Sequence, residues 1–112
     1  MHIDSYDFGE IVIDGKKYNR DVIIAPSGIK SWWRVEGHKV CVKDLKLIEN
    51  EEFESLIIGT GYYGIVKVLD EVEEWAKRRG VELIALPTRE ACKLYNEKSK
   101  EKKVVAALHL TC

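Results

Sequence analysis

Glutamine is absent from the 112 residues, asparagine occurs only at Asn19, Asn50 and Asn96, and proline only at Pro26 and Pro87. Few amides beside abundant Lys and Glu is the direction hyperthermophile proteins take, so a thermophile-like chain is expected. Cysteine is scarce and odd in number, at Cys41, Cys92 and Cys112, and Met1-His2-Ile3-Asp4 does not open a signal peptide. Reduced thiols are therefore expected, and a disulfide framework is not. No apolar run, such as Val22-Ile23-Ile24-Ala25 or Leu56-Ile57-Ile58, approaches the roughly 18 residues of a membrane span. A charge excess is lacking too. With 18 basic against 19 acidic side chains the net charge is −1, which offers no field to gather a nucleic-acid backbone. Together these absences lead us to expect a cytoplasmic protein with no nucleic-acid partner and no membrane span.

What is present, 46% hydrophobic and 33% charged residues, fits one domain over 1–112 that needs no metal or disulfide staple to hold a core. The β-branched run Glu10-Ile11-Val12-Ile13 is followed by Asp14-Gly15, a dipeptide that supplies positive φ in a two-residue turn, so a β-hairpin is expected near the N-terminus. Its return strand is predicted over 17–25, with a turn at Pro26-Ser27-Gly28 and a third extended piece over 30–35. Asp44 is the predicted N-cap of a short helix through Glu49. From Glu54 the grammar is β-α-β-α-β, with buried strands over 55–59, 82–86 and 103–110 and right-handed crossovers. Ile65, Val68, Leu69, Val72, Trp75 and Ala76 recur at helical spacing, and Gly80 should stop that helix. Thr88 is the predicted cap of a second helix that turns Ala91, Leu94 and Tyr95 inward before a solvated end over 97–103.

Gly59-Thr60-Gly61-Tyr62-Tyr63-Gly64 places a G-x-G-x-x-G between a strand and a helix, where a dinucleotide fingerprint belongs. The acidic residue that should close the next strand and hold a ribose is missing, because Glu82 opens that strand and Leu86-Pro87 ends it. Tight strand-to-helix packing is the preferred reading, and no cofactor is expected. His38-Lys39-Val40-Cys41 and His109-Leu110-Thr111-Cys112 space His and Cys three apart, which on a strand puts them on opposite faces, so no metal is expected. The same His38, His109 and Cys112 are the only basis for an enzyme reading, and no catalytic residue is assigned. Trp32 and Trp33 must face opposite ways on an extended segment, leaving Trp33, beside Arg34, as the expected outward one. Loops that follow parallel strands and precede helices are where open sheets bind ligands. A polar cleft built from Trp33, Arg34, Gly59, Thr60, Gly61 and Thr88, suited to a small anion, is therefore expected there.

The order Asp14-Gly15, Asp21-Val22-Ile23-Ile24, Trp32-Trp33-Arg34, His38, Asp44-Leu45, Gly59-Thr60-Gly61, Pro87-Thr88, Ala91, Tyr95-Asn96 and His109-Leu110-Thr111-Cys112 resembles a known small domain. It is that of the mitochondrial respiratory complex I assembly factor 3 and the adipogenesis-associated protein, with stand-alone versions in bacteria and archaea. The resemblance runs from about Phe8 to Cys112. It implies a three-layer α/β domain with a central mixed sheet flanked by helices and an N-terminal hairpin. It also implies a stand-alone member, with roles in protein-complex assembly or regulation indicated by the eukaryotic members, and it supplies no established enzymatic reaction to carry over. The function expected is thus a non-enzymatic interaction or assembly factor with a protein partner. The alternative is a small-anion-binding module or enzyme with its cleft at the Gly59–Gly61 loop.

Overall fold

The computed structural model describes all residues 1–112. Strands β1 (Ile3–Asp7), β2 (Glu10–Ile13) and β3 (Lys16–Tyr18) form an antiparallel sheet in that order. Asp14 and Gly15 turn β2 into β3 with φ of 49° and 80°, the positive pair that a two-residue hairpin needs. β4 (Val22–Ala25) and β5 (Gly28–Ser31) follow, then the short β6 (Lys39–Val40) and a 3₁₀ helix over Val42–Ile48. The rest is β7 (Ser55–Thr60), β8 (Lys67–Val68), α1 (Asp70–Arg78), β9 (Glu82–Leu86), α2 (Thr88–Lys98) and β10 (Val104–His109). The main sheet has the order β5-β4-β10-β7-β9, parallel from β10 to β9 and antiparallel at β4 and β5. That is the mixed sheet and the β-α-β-α-β unit anticipated from the sequence.

Because β7 lies between β10 and β9, the two crossovers run in opposite directions. They lie on opposite faces, so both have the same hand. One face packs Ile57, Ala106 and Leu108 under α2 and the hairpin sheet, through Ala91, Tyr95, Ile11 and Ile13. The other packs Leu56, Ile58, Val105 and Ala107 under α1 and the 3₁₀ helix, through Val72, Trp75, Leu45 and Ile48. Covered on both sides, β7 and β10 bury every residue, which is why they read as unbroken apolar runs.

Several local expectations are corrected. The return strand is two strands, because at 19–21 the chain leaves the hairpin sheet and enters the main one. The first helix starts at Asp70 and not near Ile65; Lys67–Val68 instead pairs in parallel with Lys39–Val40, and Ile65 is exposed. Asp44 lies inside the 3₁₀ helix, where its carboxylate accepts the N–H of Cys41 (2.8 Å) and of Val35 (2.9 Å). Pro87, not Thr88, is the N-cap of α2. Gly80 does stop α1 at φ 67°, with Val81 N–H on Ala76 O (2.9 Å) and Gly80 N–H on Lys77 O (3.1 Å), the paired bonds of a Schellman ending. No helix is long and apolar enough to cross a membrane.

Candidate functional site

One end of the molecule gathers the C-terminal ends of β7, β9 and β10, the start of β4 and the end of β5, as the registers require. The loops after β7 and β9 depart to opposite faces, which is the switch point where open α/β sheets leave a crevice. Here that crevice is filled. A Cβ on Gly59 would stand 2.8 Å from Thr88 Oγ1 and 2.9 Å from Leu108 Cδ2, so only glycine lets α2 approach β7 this closely. Thr88 is fully buried; its hydroxyl donates to His109 O (2.6 Å) and accepts from Gly61 N–H (2.9 Å), tying β7, β10 and α2 together. Gly61 O accepts Thr88 N–H, Tyr62 N–H binds Thr111 O, and Thr60 O accepts Val66 N–H. The amides of Gly61, Tyr62 and Thr88 are thus spent on structure. Glu82 binds Ser55 Oγ (2.9 Å) and Lys98 (3.2 Å), far along the strand from any ribose position.

Trp33 and Arg34 lie at the same end but line a separate hollow of about 200 Å³ with Arg20, Asp21, Ser31, Trp32 and Gly37. The six residues named from the sequence therefore share one end of the sheet without lining one cavity. His109 stands between the two groups, its Cδ2 3.1 Å from where a Gly61 Cβ would be and its Nδ1 3.0 Å from Arg34.

The centre of this end is Asp21. Its Oδ2 receives Arg34 (2.6 Å) and His109 Nδ1 (2.7 Å), and its Oδ1 receives Leu110 N–H (2.9 Å). Burial opposes the carboxylate charge, but the hydrogen bonds from His109, the Leu110 amide and Arg34 outweigh it and hold the pKa below the ordinary value. An ionised Asp21 places the His109 proton on Nδ1 and turns Nε2 toward Thr111 Oγ1, 3.5 Å away. Arg34 is itself buried; it donates to Gly37 O (2.9 Å) and lies 4.9 Å over the Trp32 ring, while its Nε has no partner. Its charge is therefore matched within the protein. Asp21 belongs to the family pattern, and the signal in the sequence for its central place is a carboxylate directly preceding the apolar run Val22–Ala25.

His38 and Cys112 are exposed and Cys41 half-buried, and no three His, Cys, Asp or Glu side chains converge where an ion could be held. The exposed large apolar side chains have a different distribution. Trp33 is 78% exposed while Trp32 is 3% exposed and donates its Nε1–H to Asp44 O (2.9 Å). Phe8, Tyr62 and Tyr63 meet edge-to-face or tilted, with centroid distances of 5.6 Å for Phe8–Tyr62, 5.1 Å for Tyr62–Tyr63 and 6.5 Å for Phe8–Tyr63, and the Arg89 guanidinium lies 5.6 Å from the Tyr6 ring and 5.7 Å from Tyr62. Phe8, Trp33, Val35, Tyr62, Tyr63 and Ile65 all project from segments at this end. Only Met1 and Leu47 are exposed elsewhere.

The same architecture occurs in solved proteins. A conserved hypothetical protein from Pyrococcus horikoshii OT3 is 34% identical, with all of both chains covered and a TM-score of 0.89. The structure named MT938 is 26% identical over 99% of this chain and 98% of its own, with a TM-score of 0.82. A Mth938-like domain from Bordetella pertussis, 19% identical, shares the fold over 97% of this chain and 85% of its own at a TM-score of 0.67. The family described as "Protein of unknown function (DUF498/DUF598)" matches residues 3–109, and the chain belongs to it.

Proposed function

We propose that the chain acts as one domain in the cytoplasm, as a non-enzymatic interaction or assembly factor that docks a protein partner on the end bearing Phe8, Trp33, Val35, Tyr62, Tyr63 and Ile65. The observation that carries this reading is the gathering of nearly all exposed large apolar side chains at that end. Large apolar side chains gathered at one end of a molecule are costly to leave in water and mark an interaction surface. Trp33 and the paired tyrosines are the residue types that anchor interfaces. Arg34 fixes the Trp33 segment through Asp21, and Gly59, Thr60, Gly61 and Thr88 fix the loop that presents Tyr62 and Tyr63.

The test is affinity capture from the native host with the wild-type chain and with Trp33→Ala and Tyr63→Ser, read by intact mass. A protein recovered in fixed ratio by wild type and lost by both variants is expected. Their unfolding free energies should stay within about 0.5 kcal/mol of wild type, as for ordinary surface substitutions. Trp32→Ala, which empties a core site, should cost about 3–5 kcal/mol and serves as the contrast. Recovery of a small molecule alone, or of a partner indifferent to both variants, would overturn the reading.

A further inference from the structure

We propose that the partner presents an extended acidic segment, laid beside the free edge of β3 and ending against Trp33; this rests on the interaction reading above. β3 pairs only with β2, so its other edge is open. The two-residue turn makes Ile13 and Lys16 a hydrogen-bonded pair, and alternation then directs the backbone N–H and C=O of Lys17 outward, where an added strand would find them. Beside this edge runs an open hollow of about 380 Å³ lined by Lys16, Lys17, Tyr18, Asn19 and Arg20 and by nothing else. Arg20 also lines the hollow of Trp33, so the track we propose runs from one hollow to the other past that side chain.

The charge of the track selects the occupant. Lys16 lies 5.5 Å over the Tyr18 ring and meets no carboxylate, Arg20 has no acidic partner, and Lys17 reaches only the exposed Glu10 at 3.4 Å. The one carboxylate in the lining, Asp21, is consumed by Arg34, His109 and the Leu110 amide. On a chain of net charge −1 this is a local cationic strip. Lysines on an edge strand repel another copy of the same edge, and the same charges favour a strand that brings carboxylates. β3 spans three residues, about 10 Å at roughly 3.3 Å per residue, so a segment of about five or six residues would pair there over about three and run on past Asn19 and Arg20, where the strand has ended. An apolar side chain at its end would lie on the exposed Trp33 indole.

The probe is a labelled hexapeptide alternating glutamate and valine, titrated into the full chain and followed by anisotropy and by tryptophan emission. Because Trp32 and Trp75 are buried and Trp33 is not, coverage of the site should shift the emission to the blue. Saturable binding is expected, weakening as salt is raised from about 50 mM to about 300 mM because the pairs are surface-exposed. Lys16→Glu combined with Arg20→Glu should weaken it by about tenfold or more, whereas Lys100→Glu with Lys102→Glu, on exposed positions beyond α2, should not change it. Absence of saturable binding, equal binding of the lysine–valine counterpart, or tighter binding of oligothymidylate would each overturn the proposal. If capture of the native partner is abolished by Tyr63→Ser but indifferent to Arg20→Glu, the acidic-segment proposal fails while the interaction reading stands. If neither substitution matters, both fail.

Discussion

Asp21 shows how one residue joins three chain segments that the sequence keeps far apart. Its carboxylate accepts from β10, from the segment after β5 and from the amide that follows β10. Its pKa is lower in the folded chain than the ordinary value of about 3.9, so the stability it contributes is complete above that value and is lost as pH falls through the folded pKa. Asp21→Asn removes the only charge facing buried Arg34 and should cost about 3–5 kcal/mol near neutral pH in urea unfolding. The variant should also lose less stability than wild type on acidification below about pH 4, and parallel pH profiles would show that the acid sensitivity arises elsewhere. Burial pushes the Cys92 thiol and the Tyr6 hydroxyl each up to about 12, so both remain neutral packing groups. Tyr6 spends its hydroxyl on Leu110 O at 2.8 Å. The tryptophan pair was legible in part: alternation gives opposite faces, but only the packing of Trp32 against the 3₁₀ helix decides which one is dry.

At the scale of elements, β1 escaped the sequence reading for a definite reason. A register shift between Ile3 and Ser5 leaves Ile3 and Tyr6 as its buried positions, three apart, so the period of two that reveals a strand is missing. The outer edge of β1 is closed by α2. Asn96 donates Nδ2–H to Ile3 O (2.8 Å) and accepts Ile3 N–H on Oδ1 (2.9 Å), supplying the two bonds a neighbouring strand would make. Arg89 adds a bond to Tyr6 O at 3.3 Å. Asn96→Ala should therefore cost about 1–3 kcal/mol and release the Ile3 amide to exchange while β7 stays protected. An Ile3 amide as slow as in wild type would show that packing of Ile3 and Tyr6 alone holds the strand. The misplaced start of α1 has a comparable origin. Ile65, Val68, Leu69 and Val72 carry helical spacing, yet Val40 O takes the Leu69 N–H (3.1 Å) and His38 O the Lys67 N–H (2.9 Å), drawing 67–68 into a parallel pair.

Across the whole molecule the two faces of the main sheet hold separate apolar cores, and β7 and β10 contribute to both. Amide exchange should consequently be slowest at Ile57, Ile58, Val105 and Ala106, and fastest among the strands at β3 and β5, which lie at sheet edges. Edge strands protected as strongly as β10 would show that the cores open only together. The alternation of strands and helices after residue 54, the Asp14-Gly15 hairpin, the stop at Gly80 and the family pattern were all set by the sequence itself, through turn chemistry and periodicities that act over a few neighbouring residues. Tertiary structure alone decided that the glycine loop packs against Thr88, that Arg34 answers to Asp21, and that Asn96 completes β1. The physical reason is distance along the chain. Asp21 and His109 are 88 residues apart and Ile3 and Asn96 are 93 apart, and only the order in which the strands assemble brings them into contact.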